Sequence, residues 1–239
     1  MPDKTAPAPQ PQETLSLAVV AHIRTAFSTK FGVPRQSGLV PETRAKIVFT
    51  PPYRVPEAVR GLEGFSHLWL IWHFSAVRRQ PGEWSPTVRP PRLGGNTRVG
   101  VFATRSPYRP DPIGLSSVRL LDVDPHTPDG PVLTVAGADL MDGTPILDIK
   151  PYLPYTDSHP DATGGFADGA SPRTVTVDCP PALLLALPAQ TQAELLAVLR
   201  HDPRPAYQHD PGRVYGMIFA GHEVRFSVDG DRLTVLSVD

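Results

Sequence analysis

The sequence predicts an all-β barrel or sandwich followed by a small α+β unit. Two observations carry this. Seven runs rich in Val, Ile, Leu and aromatics recur within about 150 residues, bounded by Pro, Gly or Asp, with no long helical pattern between them. Proline makes up 30 of 239 residues, more than twice the usual share of ~5 %, and each would break a helix interior at a cost of ~3 kcal/mol.

The elements follow in chain order. Residues 1–13 (MPDKTAPAPQPQE) are Pro/Ala/Gln-rich, lack the apolar core of a signal peptide and read as a disordered tail. Residues 14–154 hold the seven predicted strands, at 15–23, 46–50, 67–74, 98–104, 115–123, 132–136 and 146–149. Within the fourth, Val99 to Ala103 reads as a buried strand. Residues 56–62 (PEAVRGL) read as a helical turn with proline at its first position. Residues 155–172 form a polar linker, after which composition changes. In 173–239, residues 189–201 place Leu195, Leu196, Val198 and Leu199 on one side of an amphipathic helix. Strands follow at 215–220, 223–228 and 232–238, with Asp229-Gly230 a hairpin signal between the last two.

The totals exclude several classes. One cysteine, Cys179, permits no internal disulfide, and no CxxC, HExxH or Cys/His cluster suggests a metal. No apolar run is long enough to span a membrane, and a cytoplasmic protein is expected. No Gly-rich loop follows a strand, so a Rossmann site, a P-loop and a serine nucleophile elbow are all absent. The net charge is −1, yet residues 34–109 carry twelve Lys/Arg and four Asp/Glu, whereas 110–170 carry two and ten. Such a chain either presents a basic face or lays the two segments together so that they neutralise each other.

The densest signal is the segment 84–114, WSPTVRPPRLGGNTRVGVFATRSPYRPDPIG. It holds five arginines (Arg89, Arg92, Arg98, Arg105, Arg109) and no acidic residue before Asp111. Arginine forks bind phosphate and carboxylate bidentately, and the prolines and glycines set the loops that carry them. Arg105 and Arg109 flank Tyr108, an interleaving that suits nucleic acid. The competing reading is a salt-bridge network with the acidic stretch. Other motifs are weaker. Pro34, Arg35 and Gln36 can clamp a carboxylate or a base edge, although a solvated loop is the commoner fate. His67 and His73 lie in an aromatic run, where buried, backbone-satisfied histidines are the plain alternative. Asp148, Lys150 and Tyr152 alternate on one face of an extended segment and can handle a proton, or they can simply be a strand's solvent side. Residues 202–207 (DPRPAY) read as a stiff exposed loop that carries Arg204 to an RNA backbone or terminates the helix.

Together the blocks PRQ (34–36), AVRGLEGFSHLWL (58–70), PTVRPPRLGGNTRVGVFATRSPYRPDPIGLS (86–116), DLMDGTPILDIKPYLPY (139–155) and DPRPAY (202–207) closely resemble the TrmO family, over about residue 17 to the C-terminus. The resemblance implies a small, non-Rossmann β-barrel that uses S-adenosylmethionine to methylate N6 of threonylcarbamoyladenosine at tRNA position 37, beside the anticodon. It also implies a homodimer with the cofactor near the subunit interface. Carried over by motif, the cofactor contacts are Pro34, Arg35, Gln36, Phe74, Ser75, Arg105, Leu115, Asp139, Leu140 and Asp142. Ser75 stands where the family often has histidine, and His73 lies one residue before Phe74. Asp148, Lys150 and Tyr152 are the candidate catalytic groups. Arg89, Arg92, Arg98, Arg109 and Arg204 are the candidates for the anticodon stem-loop. The alternatives are a non-catalytic S-adenosylmethionine- or RNA-binding regulator and a methyltransferase for another substrate.

Overall fold

The computed structural model describes residues 13–77, 83–90, 93, 96–168, 173–204, 208 and 210–239. The expected tail therefore lies almost wholly outside the described residues, as does Arg92. Among the described residues twelve strands follow in chain order. β1 (Ala21–Arg24), β2 (Arg44–Phe49), β3 (His67–His73), β4 (Thr87–Val88), β5 (Val99–Gly100), β6 (Ile113–Thr127), β7 (Gly130–Ala136) and β8 (Pro145–Pro151) form the N-terminal part. β9 (Thr176–Asp178), β10 (Val214–Phe219), β11 (His222–Asp229) and β12 (Arg232–Val238) form the C-terminal part. The helices are α1 (Pro154–Asp157) and α2 (Ala189–Arg200).

Six strands close into a barrel in the order β1-β2-β7-β6-β3-β8, every pair antiparallel. Alternation decides which residues fill it. Ala45, Ile47 and Phe49 of β2, and Leu68, Leu70 and Trp72 of β3, point inward and are buried, while their neighbours face out. Closure pairs the edge strands that would otherwise invite association. The turn Pro56–Val59 lies against β6 and β7 and adds Val59 to the barrel core.

Two expected strands are shorter than the sequence suggests. Where the sequence suggests a strand from residue 15, the strand begins at Ala21; Val20 N–H still donates to Ile146 O and Val20 O accepts Thr50 N–H, each at 2.9 Å, whereas Leu15 is 83 % exposed. The expected buried strand over 98–104 ends after Gly100. Val101–Ala103 is instead a 3-10 turn that buries Val101 and turns Phe102 to solvent. Parts of the stretch read as a linker are ordered: Asp157 accepts hydrogen bonds from Trp69 Nε1 at 2.8 Å and Leu153 N–H at 2.9 Å, which pins α1 to the barrel's outer face.

The C-terminal sheet runs β10-β11-β12-β9, with β9 parallel to β12 and α2 packed on its core. That core takes in Phe27 and Val40, and also Phe31, Val33 and Leu39, all from the β1–β2 connection. The connection is fastened there. Ala220 N–H donates to Ala26 O at 2.9 Å, and Gly32, at φ +97°, lies so close that a Cβ would stand 2.7 Å from Met217 Cε. The chain around Pro34 therefore belongs to both units. Among the described residues, no helix is long and apolar enough to cross a membrane.

Candidate functional site

A cleft of about 1500 Å³ opens where three pieces of chain converge: the β1–β2 connection, the arginine segment from Ser85 to Tyr108, and residues 201–204 after α2. Gly164 and Phe166 close one side. Seven Lys and Arg side chains line it, and Asp202 is the single carboxylate among the described lining residues. Asp202 is itself neutralised. Arg204 Nε and Nη2 donate to its two oxygens at 2.8 and 3.0 Å, and both side chains are almost fully buried. Burial pushes the Asp202 carboxyl upward, but the hydrogen bonds and charge of Arg204 outweigh it and hold the group below its ordinary value. The cleft is thus strongly cationic, built for an anionic ligand.

The neutralising alternative for the arginines does not hold among the described residues. The ion pair that joins the basic and acidic stretches is Arg54–Asp129, at 3.8 Å on the surface. Arg35, Arg98, Arg105 and Arg109 bond neutral groups instead, whereas Arg173 and Arg204 meet Asp202. Arg35 Nη2 donates to Arg204 O at 2.8 Å, Arg105 Nη1 to Gln36 Oε1, Arg98 Nη1 to Thr87 Oγ1 at 2.8 Å, and Arg109 Nη1 to Thr104 O at 3.3 Å. These bonds aim the forks without cancelling their charge.

Beside Gln36 and Arg105 sits a second feature, inside the barrel mouth. Trp72 Nε1 donates to Ser116 Oγ at 2.9 Å, and the Ser116 hydroxyl donates to Asp139 Oδ1 at 2.6 Å. Because the indole can only donate, it fixes the serine proton toward the carboxylate. Burial raises the Asp139 pKa. The Ser116 hydroxyl, the backbone N–H groups of Asp139 and Ser37, and the charge of Arg105 oppose that rise without cancelling it. Gly114, opposite Trp72 in the β3–β6 ladder, leaves room for this ring: a Cβ there would stand 2.2 Å from Trp72 Cε2. Phe74 packs on Trp72 with ring centroids 4.2 Å apart.

The candidate residues fall into groups. Pro34, Arg35, Gln36 and Arg105 line the cleft, and Asp139 adjoins Ser37 and Arg105. Phe74 abuts the Trp72 end, and Ser75, exposed, turns back with its N–H on His73 O. Leu140 fills the barrel core at 1 % exposure, and its carbonyl accepts a hydrogen bond from Thr25 Oγ1. Asp142 faces the other way, accepting Thr25 N–H at 3.0 Å beside Arg24 at 3.7 Å. Arg89 and Arg98 line the cleft. Arg204 lines it too, but at 4 % exposure, which corrects the exposed-loop expectation: its fork is spent on Asp202.

Leu115, Asp148, Lys150 and Tyr152 lie apart from the cleft, on the outer face of β6-β3-β8. Leu115, Ile71 and Asp148 share one row, and Lys150 pairs with Trp69 in the next. Lys150 Nζ meets Asp148 Oδ2 at 2.8 Å, and Tyr152 packs on Trp69 at 5.6 Å. Sequence reasoning missed Ser116, Ser37, Lys30, Phe102 and Arg173. A lone serine at an inward strand position was the one readable sign of the Asp139 relay.

Fold and site together define a small β-barrel protein whose barrel and C-terminal unit share a basic cleft suited to a polyanion. Residues 22–158 match the family model of the tRNA-methyltransferase O N-terminal domain, and residues 183–239 match that of the TrmO C-terminal domain. The chain belongs to the TrmO family. It is 43 % identical over 225 residues to the Escherichia coli (strain K12) tRNA (adenine(37)-N6)-methyltransferase, covering 91 % of this chain and 94 % of that one. It is also 43 % identical over 212 residues to a Pseudomonas aeruginosa protein named "Putative S-adenosylmethionine-dependent methyltransferase RcsF", covering 85 % and 88 %. The crystal structure of TrmO from Pseudomonas aeruginosa superposes with a TM-score of 0.76 at 34 % identity, over 96 % of this chain and 98 % of that one.

Proposed function

We propose that this chain transfers the methyl group of S-adenosylmethionine to N6 of threonylcarbamoyladenosine at position 37 of tRNA, threonine tRNA among them. S-adenosylmethionine-dependent methylation of tRNA adenine 37 at N6 is the activity of its family and of the relative it matches along most of its length. The observation that carries the substrate reading is the cleft, where seven cationic side chains face one already neutralised carboxylate. A tRNA loop is the polyanion such a cleft suits, and a cytoplasmic enzyme follows from that substrate.

The residues present fit the cofactor. Arg35 and Arg105 suit its carboxylate. Asp139, a half-buried carboxylate with no ion-pair partner within contact distance among the described residues, suits one of its positive charges. The Trp72–Phe74 pair offers an aromatic flank. When bound, S-adenosylmethionine supplies an electrophilic methyl on a sulfonium. The chain's own part is to hold the target nitrogen in line with it and keep it there. The N6 of a carbamoylated adenine is amide-like and nucleophilic only once its proton leaves, so a base, or a cation beside the resulting anion, accelerates transfer. Lys150 is assigned the cationic role and Asp148 or Tyr152 the proton; because the three lie on the outer face of β6-β3-β8, away from their own chain's cleft, they serve a target held where a second copy covers that face. In the homodimer this reading includes, a second copy covers the outer face of β6-β3-β8, where Ile113 and Leu115 are 36 % and 55 % exposed. Sedimentation as a monomer at working concentration would remove that part.

Labelled S-adenosylmethionine, incubated with threonine tRNA carrying or lacking the threonylcarbamoyl group, tests the substrate. Label should enter the modified tRNA alone, and equal label in both would sink the specificity. Lys150→Ala should slow single-turnover methylation by roughly 100-fold; an unchanged rate would end the role given to Lys150. Arg98→Ala should weaken tRNA binding and lower the slope of log K against log salt by about one unit. A slope equal to the parent's would place Arg98 off the RNA.

A further inference from the structure

We propose that Phe102, with Trp84 beside it, is a stacking platform for an unpaired base of the tRNA loop next to the methylated one. This rests on the tRNA reading above and names a contact that reading does not contain. Phe102 lines the cleft and is 71 % exposed. An exposed phenylalanine beside a second exposed aromatic forgoes burial and makes an apolar surface suited to a flat ligand. Trp84 is 46 % exposed, with its ring centroid 6.3 Å from that of Phe102 and the planes 34° apart. Tyr108, 55 % exposed, lines the same cleft.

The platform is held by backbone rather than left to a floppy loop. β4 pairs with β5, Val101 N–H donates to Pro86 O at 3.0 Å, and Ser85 N–H donates to Tyr108 O. The 3-10 turn that presents Phe102 is closed by Thr104, whose N–H and Oγ1 both donate to Val101 O, at 3.1 and 2.8 Å. A ring fixed before binding loses little entropy on stacking. Its surroundings select the partner. Arg89 and Arg98 line the same cleft, and no carboxylate of the arginine segment does, so the flanking charge suits phosphates on either side of a stacked base.

Two variants and four readouts test this. Phe102→Ala should weaken binding of the threonine tRNA anticodon stem-loop by about 5- to 150-fold at fixed salt. Phe102→Trp should retain parent affinity, because any flat aromatic stacks. The salt slope should stay at the parent value in both, since no phosphate contact is lost. S-adenosylmethionine affinity and sedimentation should also be unchanged. Parent-like RNA affinity in Phe102→Ala overturns the platform. A loss of cofactor affinity instead would give the ring to the cofactor, and a drop in oligomeric state would make it a contact between copies; either overturns the proposal. A parent chain that methylates tRNA while Phe102→Ala binds normally defeats the platform alone. A parent chain that neither binds nor methylates tRNA defeats the function it rests on.

Discussion

Asp202→Ala should lower the stability of the chain by about 3–5 kcal/mol, because it strands the buried Arg204 guanidinium without its counter-charge. For a chain of this size that corresponds to a fall in Tm of roughly 6–20 °C. Two further effects add to it. Asp202 holds φ at +45°, a conformation that aspartate and asparagine tolerate and alanine resists. Arg204 O is also the acceptor for Arg35, so the cleft wall loses an anchor together with the pair. Asp202→Asn, which keeps the backbone preference and one hydrogen bond, should lose less. The pH dependence has a definite sign. The folded carboxyl lies below its ordinary value, so its stabilisation is complete above the unfolded pKa of about 3.9 and disappears as pH falls through the folded one. The parent's advantage over Asp202→Asn should therefore shrink below about pH 4. Melting curves of the three proteins across pH check both claims; a constant gap would mean that the pair is not what stabilises this corner.

Gly114→Ala is the second large effect. The added Cβ would stand 2.2, 2.4 and 2.6 Å from three atoms of the Trp72 ring. The ring has nowhere to retreat, being tied to Ser116 through its indole nitrogen and packed on Phe74. Overpacking of this kind costs about 1–3 kcal/mol, which is roughly 2–12 °C in Tm here. The functional loss should exceed the loss of stability, because displacing Trp72 releases the Ser116 hydroxyl that orients Asp139. Ser116→Ala separates the two effects: it should weaken S-adenosylmethionine binding while leaving Gly114 and Trp72 in place. Calorimetric titration of both variants decides the matter, and parent affinity in both would detach the relay from the cofactor.

Much of the barrel was legible because its strands alternate. In β2 the buried Ala45, Ile47 and Phe49 alternate with Arg44 and Lys46, whereas β3 is apolar from Leu68 to Trp72 without a break, and only the structure shows that Leu68, Leu70 and Trp72 point inward. The helix over 189–200 and the Asp229-Gly230 hairpin were equally plain, since each signal is local. The two-residue β4 and the three-residue β9 were not, and β5 was read as longer than it is, because strands that short exist only through their partners. For the same reason the fourth predicted run, although apolar from Val99 to Ala103, breaks into a turn at Val101.

The site divides along the same line. The residue types came from the sequence: arginines among prolines and glycines, the PRQ and DPRPAY blocks, and the alternation that puts Asp148 and Lys150 on one face, where they now meet at 2.8 Å. Chemistry and one-dimensional spacing are properties of the chain itself. What only the tertiary structure decided is which groups share a volume. It lodged the β1–β2 connection in the C-terminal core and brought Arg35 to Arg204 across 169 residues of sequence. It consumed the Arg204 charge on Asp202 and turned Phe102 outward. It also linked Trp72, Ser116 and Asp139 in one relay. Burial and partnership arise when distant segments pack together, and no local pattern encodes them.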